Sequence, residues 1–215
     1  MLNLVTGYRG TPHVTADEEA VKNLMTFEDF LVTENGEQLA HTIVSNNQIR
    51  INSGDIMAQG RLVRIEGHED VTIETGTQAM NRKDLICLRY TKDSSTGIES
   101  VALVAIKGTP ASGAAEVPAH TAGNILEGDS PVDFPLYVVT IEGLTVTEVT
   151  AQFTPSKKIH EQLAEIQIGM NEANAAIADT QETMANKAPA YTYGTTDLTA
   201  GISTLATGTL HFIYE

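Results

Sequence analysis

Apolar residues follow two different periods along this chain. Between residues 27 and 153 they alternate with polar residues or gather in short runs. From residue 156 to 187 they recur at steps of four and three: Ile159, Leu163, Ile166, Met170, Ala173, Ile177, Thr180 and Met184. Six of those eight positions are Ile, Leu or Met, on one 3.5-residue seam. That is the heptad pattern of a coiled coil. The spacing predicts one long helix over Ser156 to Lys187, about 45 Å long at about 1.5 Å per residue. An isolated helix with an apolar stripe this narrow has nothing in its own chain to bury it, so partner helices are implied. Ile159 and Ile166 at the d-type positions favour three strands over two.

The seam is diluted. Ala173 and Thr180 share the register of Ile166, and Gly169 lies mid-helix. Its flanks carry His160, Gln162, Gln167, Asn174 and Gln181 rather than alternating charges. Partner choice is therefore not set by charge, and the regions at either end of the helix are expected to help hold the register.

The preceding part reads as strands and turns. Thr15 or Asp17 caps a short helix over Ala16 to Met25, with acids in its first turn. Phe27 to Val32 is strand-like and is followed by a hairpin turn at Glu34-Asn35-Gly36-Glu37. Strands are predicted over Leu39 to Ser45 and Gln48 to Ile51, the latter ended by Asn52-Ser53-Gly54-Asp55. Ile56 to Ile65 alternates around Gly60, which suggests a bulge. Val71 to Thr75 alternates, Asp84 to Tyr90 reads as a central buried strand, and Lys92 to Gly97 is a loop leading to its partner, Glu99 to Lys107. After a Pro/Gly/Ala loop over Gly108 to Pro118 come two strands about Gly143, Phe134 to Glu142 and Leu144 to Phe153. Short strands separated by turn signals argue for an antiparallel sandwich or barrel-like domain. Thr154-Pro155 then opens the helix, since proline is tolerated in a first turn.

Ala188-Pro189-Ala190 stops the helix. The tail is too short for a core of its own. Three copies packing Tyr191, Tyr193, Leu198, Leu205, Leu210, Phe212 and Tyr214 about an axis would make a small β tip. The expected organisation is a mainly β chain: a β-rich domain over residues 1–154, a trimeric coiled-coil stalk over 155–188 and a small β tip over 189–215.

Composition narrows the function. Charged residues make up 19% of the 215 and the net charge is −15. No basic face is visible, which argues against nucleic-acid binding. No run approaches the roughly 18 apolar residues that cross a bilayer, and the start lacks a signal peptide. A soluble protein made in a cytosol is expected. Cys87, in DLICLRY, is the only cysteine and reads as a buried, inert thiol.

Candidate chemistry is sparse. The histidines are His13, His41, His68, His120, His160 and His211, with no HExxH and no CxxC. Glu66-Gly67-His68-Glu69-Asp70 is the densest group of possible ligands and reads as a solvated turn. His13, beside Pro12, reads as a loop histidine ahead of a ligand on a three-fold axis. VAIKGTPA lacks phosphate-loop spacing. Asp129 and Asp133 are spaced as a glycosidase pair could be, but acids in a proline-containing turn are common. The tip aromatics suit axial packing ahead of sugar stacking. No catalytic, metal or cofactor site is expected.

Four stretches carry a resemblance: GYRGTPHVT, INSGDIMAQGRLVRI, NRKDLICLRY and FPLYVVTIEGLTV. They resemble the N-terminal domain of tail or baseplate structural proteins of phages and prophages of Gram-positive bacteria. The closing YGTTDLTAGISTLATGTLHFIYE is similar to C-terminal tips of small phage fibre proteins. The resemblance implies a non-enzymatic virion protein, assembled in the host cytoplasm. Its partners would be its own copies and other virion structural proteins. A head or collar fibre would use the same parts. The rival from another class is a carbohydrate-binding adhesin whose tip, or Gly108 to Asp133 loops, contacts a cell-wall glycan. An enzyme acting on a cell-wall polymer comes third.

Overall fold

The structure is a computed structural model and describes residues 14–187, together with the strands Tyr191–Gly194 and Leu210–Ile213. Its elements are α1 (Ala16–Leu24), β1 (Phe30–Val32), β2 (His41–Ser45), β3 (Gln48–Ala58), β4 (Arg61–Thr72), β5 (Asn81–Lys92), β6 (Glu99–Ile106), β7 (Val132–Glu142), β8 (Thr145–Ala151), α2 (Ile159–Lys187), β9 (Tyr191–Gly194) and β10 (Leu210–Ile213). The chain divides into two compact units, Met1–Lys158 and Ile159–Glu215. It is mainly β, with two sheets of antiparallel strands and one long C-terminal helix.

The first unit is organised around β5. One sheet runs β6-β5-β7-β8. In the other, β3 pairs with β4 along its length, while β2 and β1 share its opposite side. Side chains alternate across a strand, and both faces of β5 are apolar. Ile86, Leu88 and Tyr90 enter the core that the two sheets share with Ile49, Ile51, Ile56, Leu136 and Val139. Leu85 and Cys87 form a second cluster on the opposite face with Val138.

Val104 and Ile106 of β6 pack against that second cluster. The strands β6 and β7 both run antiparallel to β5, so a crossover must join them. Ala111 pairs with Asn81 on the β6 side of β5, and Asp133 donates its N–H to the Thr121 carbonyl on the far side of β7. The inner face is filled by the opposite sheet. The segment between residues 111 and 121 therefore leads from the β6 side of β5 to the far side of β7.

Several local expectations are corrected. The expected strand end at Asn52 to Asp55 lies inside a strand, the expected bulge at Gly60 is a turn, and the extra residue of the ladder lies on β4 at Glu66–Gly67. The long strand β3 continues through residues 52–55 with a register shift between Asn52 and Gly54. Gln59 and Gly60 make the tight β3–β4 turn, with φ of 43° and 79°, as a two-residue hairpin requires. A Cβ on Gly60 would sit 2.3 Å from the Ala20 carbonyl oxygen of α1, so glycine serves both the turn and the helix contact. The Glu34–Glu37 turn joins strands that do not pair with each other; both pair with β3. Leu39 lies outside β2, at φ 59° and fully buried.

Helix α1 is capped as expected. Thr15 accepts from the Glu18 N–H, and Glu18 accepts from the Thr15 N–H. The long helix α2 starts at Ile159, beyond the expected Ser156. Pro155 is therefore not in its first turn, and Ser156 instead donates its N–H to the Val32 carbonyl at 2.7 Å. In the second unit, β9 pairs in parallel with β10, Tyr191 opposite Leu210 and Tyr193 opposite Phe212.

Candidate functional site

The predicted seam lies on α2, and no residue of that helix is buried. Ile159, Leu163, Ile166, Met170, Ile177 and Met184 are between 49% and 68% exposed. At 3.6 residues per turn the eight seam positions span an arc of about 100°. The seam positions Ala173 and Thr180 are exposed too, and the Thr180 hydroxyl donates to the Ala176 carbonyl at 2.8 Å. Glu161, Glu172 and Asp179 fall on the opposite side of the helix, by the same geometry, together with Ile168. An aqueous helix whose large apolar side chains stand about half exposed or more along one stripe leaves its main source of stability unused. Six of the exposed large apolar side chains among the described residues lie on this one stripe.

The predicted tip residues divide into two groups. Tyr191, Tyr193, Leu210 and Phe212 lie on β9 and β10. Leu198, Leu205 and Tyr214 lie outside the described residues, as do His13 and the N-terminal GYRGTPHVT.

The candidate chemical groups of the first unit act as structural ties. Glu66 to Asp70 is not a turn but part of β4, with His68 opposite Asn52 and Glu69 opposite Ile51. Asp70 takes a two-pronged contact from Arg50 at 2.8 and 2.9 Å. Among the described residues no group of three or more His, Cys, Asp or Glu converges as metal ligands would. Asp129 accepts the Asn124 N–H at 2.8 Å. The fully buried Asp133 side chain binds Arg89 at 2.6 and 2.9 Å and accepts the Thr121 N–H at 3.0 Å. Its carboxyl is held below the usual value by the Arg89 contact first, then by the Thr121 N–H, against the opposing effect of burial. A carboxylate so engaged is not poised to trade protons with a substrate.

Cys87 is fully buried, and burial pushes its thiol up to about 12, the environment of an inert thiol. The His41 ring meets Tyr137 edge-on at 5.1 Å, and burial lowers its pKa. Tyr137 in turn donates its hydroxyl to the Leu39 carbonyl.

Three features escaped the sequence reading. Arg82 and Asp84, 3% and 1% exposed, form a two-pronged pair at the end of β5. Arg82 also donates to the Glu74 and Thr75 carbonyls, and Asp84 accepts the Gly108 N–H. Arg61 ties α1 to the sheets through Asp17, the Ala16 carbonyl and Glu99. Beside α1 lies an open groove of about 400 Å³ walled by Val14, Val21, Met25 and Leu126. In sequence, Arg82 and Asp84 stand in the polar run Asn81-Arg82-Lys83-Asp84 and Asp17 in an acidic helix start, so nothing local marked either tie.

Among the described residues no helix is long and apolar enough to cross a membrane. Compared with known proteins, the chain matches no family model and no curated sequence.

Proposed function

We propose that this chain is a non-enzymatic structural protein of a phage particle. It forms a homotrimeric short fibre or baseplate component that attaches through its β-rich N-terminal unit. The observation that carries the reading is the uncovered heptad stripe of α2, which asks for copies of the same helix. The phage assignment rests on the sequence resemblance, and the stripe supports the part of it that concerns assembly. The first unit suits an attachment role. Its buried charges are tied in pairs, Arg82–Asp84 and Arg89–Asp133, which hold its strands together.

Immunogold labelling and peptide mapping of purified particles from a host carrying this gene test the proposal. Labelling at one fixed position on the particle is expected, and its absence from intact particles would sink the reading. The adhesin alternative predicts instead that soluble protein binds host cells and loses that binding when residues 190–215 are deleted.

A further inference from the structure

The strand β6 is an edge without protection. Among the described residues it pairs only with β5, in an uninterrupted register from Lys92–Glu99 to Leu85–Ile106. The stretch SVALVAI between Glu99 and Lys107 has no charge, proline or glycine. Edge strands of soluble proteins carry such devices, or a bulge, to stop strands of other molecules from adding. Val101 is 44% exposed and Ile98, just before the strand, 66%.

The direction of its free backbone groups can be worked out. Asn81 exchanges both of its hydrogen bonds with Ala111 on the β6 side. Backbone groups alternate in direction along a strand, and the irregularity opposite Cys87 lies in β7, so β5 is regular. Leu85, Cys87, Arg89 and Thr91 therefore aim their N–H and C=O at β6. Their partners Ile106, Val104, Ala102 and Ser100 aim back, which leaves Val101, Leu103 and Ala105 aimed away from the sheet.

We infer that β6 is a self-pairing edge, joining the β units of two copies of this chain antiparallel about a two-fold axis at Leu103. In that register Leu103 faces itself and Val101 faces Ala105. Every outward-aimed N–H then meets an outward-aimed C=O of the other copy, and inward-facing side chains stay inward. The same register sets Glu99 at one end of the strand opposite Lys107 of the other copy. Each already has partners in its own chain, Arg61 and Lys92 for Glu99 and Glu74 for Lys107, so the second copy adds one opposite charge to an existing ion pair at each end. A parallel or shifted pairing loses either the charge match or the use of the free groups. The contact is independent of the phage reading and of the α2 seam. An isologous pair does not fit on a three-fold axis, so it links chains of different stalks.

Two single substitutions in the full-length chain test it. Leu103→Cys places a thiol at the two-fold axis, with the paired Cα atoms about 5.5 Å apart, within the reach of a disulfide. Ala105→Cys places its copies about 14 Å apart at about 3.4 Å per residue, beyond that reach. Oxidation should give a disulfide-linked dimer for Leu103→Cys and none for Ala105→Cys. Linking in both or in neither overturns the register. Val101→Pro removes an outward N–H that β5 does not use, a position where proline is tolerated. With Leu163→Asp and Ile166→Asp added to silence the stalk, the otherwise native chain should sediment as a dimer, and the Val101→Pro version at half that mass with its circular dichroism unchanged. Equal masses for the two overturn the contact.

Discussion

Consider the paired substitution Leu163→Asp and Ile166→Asp on the α2 seam. The two side chains are 60% and 58% exposed in the single chain. Burying a whole Leu or Ile side chain is worth about 1.5–3 kcal/mol, so covering the exposed part contributes about 1–2 kcal/mol each. A trimer holds each site three times, and the loss is about 6–12 kcal/mol per assembly before any cost of a carboxylate near the seam. At about 1.4 kcal/mol per tenfold, that weakens trimerisation by about 10⁴-fold or more. Sedimentation equilibrium across a hundredfold range of concentration should find the native protein associated and the variant shifted to the mass set by any remaining contact. The informative control is Ile168→Asp. Ile168 is 57% exposed, like its neighbours, yet lies on the opposite side of the helix. Exposure alone predicts equal damage from Ile168→Asp, whereas the seam predicts almost none. An unchanged mass for the double variant, or equal dissociation by Ile168→Asp, refutes the reasoning.

Three further outcomes follow from the first unit. Gly60→Ala should destabilise it by about 2–4 kcal/mol in urea unfolding, combining a left-handed φ with the clash against α1; a loss under 0.5 kcal/mol would contradict the close contact. Asp84→Ala strands the buried Arg82 and should cost about 3–5 kcal/mol, whereas near-neutral behaviour in the same assay would mean that Arg82 finds water. The Asp133 carboxyl has its pKa lowered in the folded state, so its stabilising effect is complete above the ordinary value near 3.8 and is lost as pH falls below it. Asp133→Asn should therefore flatten the acid side of the melting-temperature profile, and an unaltered acid slope would count against the buried pair.

The long helix, the short capped helix α1 and the β5 core strand were legible because each is written in local terms. A heptad spacing, a Thr followed three residues on by Glu, and an apolar run each carry their own period. The β3–β4 hairpin was misread for a definite reason. Two glycines, Gly54 and Gly60, stand six residues apart in one strand-like stretch, and either can serve a turn or a bulge. What decides is outside the stretch: α1 packs its Ala20 backbone against Gly60, and Leu39 packs against Gly54. The Glu66 to Asp70 group was misread similarly, since acids and glycine signal a turn until Arg50 and Asn52 are known to lie across the ladder.

By itself, the sequence determined the mainly β character of the first unit and the long helix with an apolar stripe, because side-chain period is a property of neighbouring residues. Only the tertiary structure decided which strands are neighbours, that Asp133 and Asp84 are tied into ion pairs rather than free, and that among the described residues β6 stands at an edge with alternate backbone groups aimed outward. These depend on contacts between residues far apart in the chain. Antiparallel pairing admits many orders with nearly equal local energies, and one shared core selects among them.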